Sequence, residues 1–192
     1  MMFNSDIIRK AFEKFYGDCQ RTLTEISYDY ANDREFCRGD EKYIDFDQVA
    51  QKYFVGKNKP STVDMLAFGT EYVLFIEFKA GKNVKVEKQK LQFKLLASLL
   101  LYERVVATLL NIDAKTLVST KFVYLVVFDP KNCPVSFART ASIQNHLDKI
   151  QVRFGVDKYK GSFLDKAFTP ECAEEFETLL QRFGVKGSDS AK

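Results

Sequence analysis

Apolar positions recur along this chain with two different periods, and the change from one to the other marks out its elements. Ile8, Phe12, Phe15, Cys19, Leu23, Ile26 and Tyr30 fall three or four apart, the spacing of one helix face. With Asn4 or Ser5 as cap, they predict one long amphipathic helix to about residue 31, with Gly17 as its weak point. Residues 32–44 are polar and charged and read as a loop. Phe46, Val49, Ala50 and Tyr53 share one side of a short helix over Asp45–Phe54. Val63–Phe68 and Val73–Lys79 are β-prone runs. A long helix follows over Val84–Asn111, apolar nearly all round from Leu91 on, and so buried against a sheet.

Lys121–Phe128 is a continuous apolar strand ended by Asp129-Pro130. Its helical crossover from Val73–Lys79 predicts that the two strands are parallel neighbours. Ile143, Leu147, Ile150 and Phe154 make a stripe on a helix over Ala138–Phe154, and residues 158–168 read as irregular chain or a short edge strand. Thr169-Pro170-Glu171 reads as a cap with proline at the first helical position, opening a helix through Phe176, Leu179, Leu180 and Phe183. The pattern predicts an α/β (α+β) fold, a mixed central sheet with helices on both faces. A single domain spans residues 1–186, and 187–192 form a disordered tail.

The two β-prone runs make a hairpin around Gly69-Thr70-Glu71-Tyr72. Pairing Phe68 with Val73 closes a four-residue loop. That register sets Asp64 opposite Glu77 with Cβ atoms ~4.5–5.5 Å apart, and Thr62 opposite Lys79. A slip of one residue would send Asp64 to the other face. Glu77 and Lys79 share a face because strand side chains alternate. Glu77 is embedded in Tyr72-Val73-Leu74-Phe75-Ile76-Glu77-Phe78, apolar on both sides, which predicts a central buried strand. Two opposed carboxylates repel. A hard divalent cation relieves that repulsion, and Mg²⁺ is commonly held by one or two carboxylates plus waters and substrate phosphate. Lys79 is then placed to stabilise a phosphate oxygen or to orient an attacking water. The competing reading is ordinary: exposed strands carry acids and lysines, and E-x-K recurs by chance.

Asp64, a hairpin, Glu77-Phe78-Lys79 and a long helix together resemble the PD-(D/E)xK nuclease-like superfamily, from the first helix to the strand near residue 127. The resemblance implies a restriction-endonuclease-like core and Mg²⁺-dependent (or Mn²⁺-dependent) hydrolysis of phosphodiester bonds in DNA or RNA. Carried over by residue, Asp64 and Glu77 are metal ligands with the Phe78 backbone carbonyl, and Lys79 is the catalytic lysine. Val63 stands where the motif has proline, with Pro60 four residues upstream of Asp64. The superfamily also contains members that have lost activity, so the alternative is a non-catalytic module that binds nucleic acid or a protein partner. Members often carry an acid on the first helix; Glu13 and Glu25 are candidates, and neither is marked by its spacing. Gln89 and Phe93 are similar to the Q-x-x-x-Y element of RecB-like nucleases, but Phe93 lacks the hydroxyl and Gln92 competes for the glutamine.

Charge adds one feature. A formal net charge of +3 does not by itself announce nucleic-acid binding. Lys79, Lys82, Lys85, Lys88, Lys90 and Lys94, however, fall within sixteen residues. They read either as a positive rim for backbone phosphates or as a solvated turn and helix start. Lys94, between Phe93 and Leu95 on the buried helix, either lines the same cleft as Lys79 or snorkels to the surface. The four cysteines are scattered without C-x-x-C, and His146 is the sole histidine. That argues against structural zinc and against a serine or cysteine hydrolase. No phosphate-binding glycine loop appears, and no apolar run approaches twenty residues, so no membrane span is expected. The expectation is a cytoplasmic protein with reduced thiols.

Overall fold

A strand apolar on both faces needs cover on both, and Tyr72–Lys79 has it: Val73 to Phe78 are all buried. The computed structural model describes residues 5–30, 33–54, 58–79, 84–112, 120–128 and 154–188, with 84–87 described by backbone alone. Its strands are β1 (Gln20–Thr22), β2 (Tyr28–Asp29), β3 (Arg34–Glu35), β4 (Lys42–Asp45), β5 (Met65–Phe68), β6 (Tyr72–Lys79), β7 (Lys121–Phe128) and β8 (Lys166–Phe168). Six of them form one mixed sheet in the order β1-β4-β5-β6-β7-β8, and β2 and β3 pair separately. From β1 to β6 neighbours run antiparallel. β6, β7 and β8 run parallel, with Tyr72 level with Lys121 and Lys79 level with Phe128.

The helices are α1 (Ser5–Tyr16), α2 (Leu23–Ile26), α3 (Phe46–Tyr53), α4 (Val84–Leu110) and α5 (Ala173–Arg182). Side-chain alternation divides the core in two. Val73 and Phe75 join Leu66, Phe68, Tyr124 and Val126 under α1, α3 and α4. Phe75 is central there, with ring centroids 5.7 Å from Tyr102 and Phe122 and 6.1 Å from Phe46. Leu74, Ile76 and Phe78 point the other way, with Met65, Leu125 and Val127, and pack on Phe176, Leu179 and Leu180 of α5. This is the expected mixed sheet with helices on both faces, and β7 and α4 fall within a residue of the predicted bounds.

The N-terminal stripe is interrupted. Ile8, Phe12, Cys19 and Leu23 are buried, but α1 stops at Tyr16 and Gly17–Cys19 form a 3₁₀ turn. Glycine weakens the helix there. The chain then pairs with β4, and Thr22 restarts a helix through a capping box with Glu25. Phe15 and Tyr30, on the predicted stripe, are exposed. Residues 32–44 are likewise more than a loop, since they hold β3 and most of β4.

At the C-terminal end, α5 begins at Ala173 with Cys172 as N-cap, so Pro170 is not its first residue. The Phe128 N–H donates to the Pro170 carbonyl at 2.9 Å, tying that segment to the end of β7. The tail is docked as far as Ser188, which exchanges backbone bonds with Lys42 at 3.0 and 3.3 Å and accepts from Gln20 Nε2 at 3.0 Å. Residues 189–192, Asp129-Pro130, His146 and all but Phe154 of the helix expected over Ala138–Phe154 lie outside the described residues. Cys19 and Cys37 are free and buried. Cys172 is disulfide-bonded, which departs from the expectation of four reduced thiols. Among the described residues no helix is long and apolar enough to cross a membrane.

The β5–β6 loop is set against the end of α5. A Cβ on Gly69 would collide with the Phe183 carbonyl oxygen, which accepts from the Thr70 N–H at 3.0 Å. Gly69→Ala is therefore expected to lower stability by about 1–3 kcal/mol, the usual cost of overpacking, in urea unfolding. An unchanged midpoint would contradict this docking.

Candidate functional site

The hairpin has the register that the four-residue loop predicts: Phe68 pairs with Val73 and Met65 with Ile76. Asp64 lies one residue beyond the last pair, across from Glu77, and its Oδ2 accepts from the Phe78 N–H at 2.7 Å. Two further bonds fix the backbone of residues 63 and 64. The Phe46 N–H, at the start of α3, donates to the Asp64 carbonyl at 3.0 Å. The Val63 N–H donates to the buried Ser98 Oγ of α4 at 2.9 Å. Three elements thus hold one aspartate at the end of β5.

Four charges meet there. Lys94 Nζ, from α4, lies 2.8 and 3.0 Å from the two oxygens of Glu77 and 3.3 Å from Asp64 Oδ1. Lys79 Nζ lies 2.9 Å from Glu77 Oε1. The Glu77 side chain is 0% exposed, while Lys94, Lys79 and Asp64 are 17%, 21% and 24% exposed. Glu77 is the floor of the site, and the other three open toward solvent. Burial pushes the Glu77 carboxyl up to about 7; the Asp64 charge adds to this, and Lys94 and Lys79 oppose it. Burial also raises Asp64, against Lys94 and the Phe78 N–H. Burial works against the Lys94 ammonium, but Glu77 and Asp64 outweigh it and hold the group above the usual lysine range. Lys79 is raised as well, because Glu77 outweighs its burial.

Asp47, in the first turn of α3, is a neighbour that sequence spacing did not mark. Its Oδ1 accepts from Thr62 Oγ1 at 2.6 Å and lies 3.6 Å from Lys59 Nζ, and its charge helps keep Lys94 protonated. Ser98 was also unmarked. No local sequence pattern marks either residue.

The structure brings Asp64, Glu77 and Lys79 together and adds Lys94, which turns inward instead of joining a rim. Phe78 sends its side chain to the opposite core, against Phe36 and Phe176. Lys88, Gln89 and Lys90 are exposed on the first turns of α4. Gln92 clamps another segment: it donates to the Phe154 and Gly155 carbonyls at 3.3 Å and accepts from Lys158 at 2.9 Å. Phe93 is exposed. Lys82 and the Lys85 side chain lie outside what is described. Glu25 accepts from Thr22 in its capping box, and Glu13 accepts from Ser188 Oγ at 3.3 Å.

Two carboxylates that converge on one ammonium define a cation position lined by hard oxygen donors. That donor set suits Mg²⁺ or Mn²⁺ with waters completing the shell. Among the described residues no group of three or more His, Cys, Asp or Glu side chains is placed to hold a metal. Comparison of the chain with family models, curated proteins and solved structures finds no match.

The raised carboxyl of Glu77 has a pH signature. Folding favours its protonated form, so its contribution is full below the unfolded value of about 4.5 and is lost as pH rises through about 7. Urea unfolding of the wild type and of Glu77→Gln between pH 5 and 8 measures it. The stability of the wild type relative to the variant is expected to fall as pH rises across this window. A difference that grows with pH would mean that the lysines stabilise the anion outright.

Proposed function

We propose that this chain is a metal-dependent nuclease with a restriction-endonuclease-like core, hydrolysing phosphodiester bonds of DNA or RNA. The observation that carries the proposal is the convergence of the Asp64 and Glu77 carboxylates on one cation position, with Lys79 bonded to the inner carboxylate. Asp64 and Glu77 would hold Mg²⁺ or Mn²⁺, with the Phe78 main-chain carbonyl as the further ligand that the resemblance implies. When bound, the ion supplies Lewis acidity and a more acidic water.

The chain's own residues supply positioning and charge. Lys79, fixed by Glu77, presents an ammonium to a phosphate oxygen as negative charge develops on it, and orients the attacking water. Ser98 and the Phe46 N–H keep Asp64 in place. The buried floor keeps bulk water from screening these charges. Lys82, Lys85, Lys88 and Lys90 supply a positive approach for the nucleic-acid backbone. The cytoplasm is the compartment we propose; free Cys19 and Cys37 agree with it, and the Cys172 disulfide speaks against it.

A second reading has an observation of its own. The two acids and two lysines neutralise one another without any metal, as a structural ion-pair network does. On that reading the chain is a non-catalytic module that binds nucleic acid or a protein.

Cleavage assays on single- and double-stranded DNA and RNA with Mg²⁺ or Mn²⁺ separate the two. Lys79→Ala is expected to lower the rate by about 10²–10³, the usual loss for one preorganised donor, with an unchanged circular dichroism spectrum. Full activity in that variant would refute the role of Lys79. A wild type that binds the panel but cuts none of it would leave the binding module.

A further inference from the structure

We infer that Lys94 is a tethered cation: it holds the metal position when no divalent ion does, and it withdraws when one binds. This deepens the metal-dependent reading above and rests on it.

Geometry is the first ground. Lys94 touches both carboxylates at once, through both Glu77 oxygens and Asp64 Oδ1. Its nitrogen thus stands where a cation shared by the two acids would stand. The second ground is attachment. Lys79 is on the same strand and the same face as Glu77, two residues on, with its Nζ 2.9 Å from Glu77 Oε1. Lys94 reaches in from another element, α4, and its side chain is 17% exposed at the mouth. A lysine stem is long and flexible, so its ammonium can swing into water while the methylenes stay packed.

Charge is the third ground. With all four groups ionised, their charges sum to zero. A divalent ion added with both lysines in place would leave two net positive charges in a site whose floor is fully buried, which is strongly unfavourable. Withdrawal of Lys94 removes one of them from the interior, and an incoming phosphate diester, with one negative charge, offsets the other. Withdrawal, ion binding and phosphate binding therefore favour one another. Without Lys94 the metal-free chain would face two apposed carboxylates with Lys79 alone between it and their repulsion. The lysine lets the site fold before any ion is present.

Calorimetric titration with Mn²⁺ of the wild type, Lys94→Met and Asp64→Asn tests this, with thermal unfolding in parallel. Lys94→Met is expected to bind Mn²⁺ at least tenfold more tightly than the wild type, and to gain more in melting temperature from it. Equal or weaker binding in Lys94→Met, with uptake that still needs Asp64, would overturn the competition and leave the metal-dependent reading intact. No Asp64-dependent uptake in either protein would overturn both. Should Lys94→Met not fold, the wild type answers alone through its lysine ammonium NMR signals, with Lys94 assigned by its loss in Lys94→Arg. Saturating Mg²⁺ is expected to send the Lys94 ammonium into fast exchange with water and leave that of Lys79 protected. A Lys94 signal unmoved by saturating Mg²⁺ would overturn the inference.

Discussion

A carboxylate in the middle of a sheet is the constraint that shapes this protein. Glu77 is fully buried on β6, between Phe75 and Lys79 on the same face. Moving an ion of that size out of water costs several kcal/mol even after the surroundings relax. Opposite charges 4 Å apart recover about 4 kcal/mol where the effective dielectric constant is near 20. Two ammonium groups at 2.8 and 2.9 Å are what make the burial tolerable. Apolar residues in place of all four charges would serve the fold as well or better, since replacing a whole buried ion-pair network by packed hydrophobic groups is often neutral or stabilising. Stability alone therefore does not require the four charges, and the metal-dependent reading proposed above would give them a use.

The surrounding fold reads as support for that one group. The β5–β6 register puts Asp64 across from it, and α3 and α4 each add a hydrogen bond that fixes the backbone of residues 63 and 64. α4 connects β6 to its parallel neighbour β7 and carries both Ser98 and Lys94 over the same face. The length of that helix matters for this reason. It lets one element close the crossover, cover the core through Leu91, Leu95 and Tyr102, and deliver a cation to the sheet.

Much of this was legible in the sequence where a single period ran unbroken. The hairpin register followed from the loop length, since pairing Phe68 with Val73 sets Asp64 opposite Glu77. β7 and α4 stood out by their apolar runs. The first 30 residues misled because the three-to-four spacing of buried positions survived a change of structure: Cys19 and Leu23 are buried although the helix ended at Tyr16. β1 and β4 are too short to show alternation, and their pairing depends on partners far along the chain, as does the bridge between Lys42 and Ser188. Lys94 was visible as a charge on a buried helix, but whether it pointed to water or to Glu77 depended on how α4 rotates over the sheet. Asp47 and Ser98 act through neighbours brought close only by folding, and no local pattern distinguishes them.

Asp64 and Glu77 are proposed to share one cation position. The most direct test is a crystal of the wild type soaked in Mn²⁺ near pH 8, measured for anomalous scattering. A single anomalous peak bonded to oxygens of both carboxylates is expected, with the Lys94 ammonium no longer between them. An unbroken contact of Lys94 with Glu77 and Asp64, with no peak at the site under saturating Mn²⁺, would contradict it.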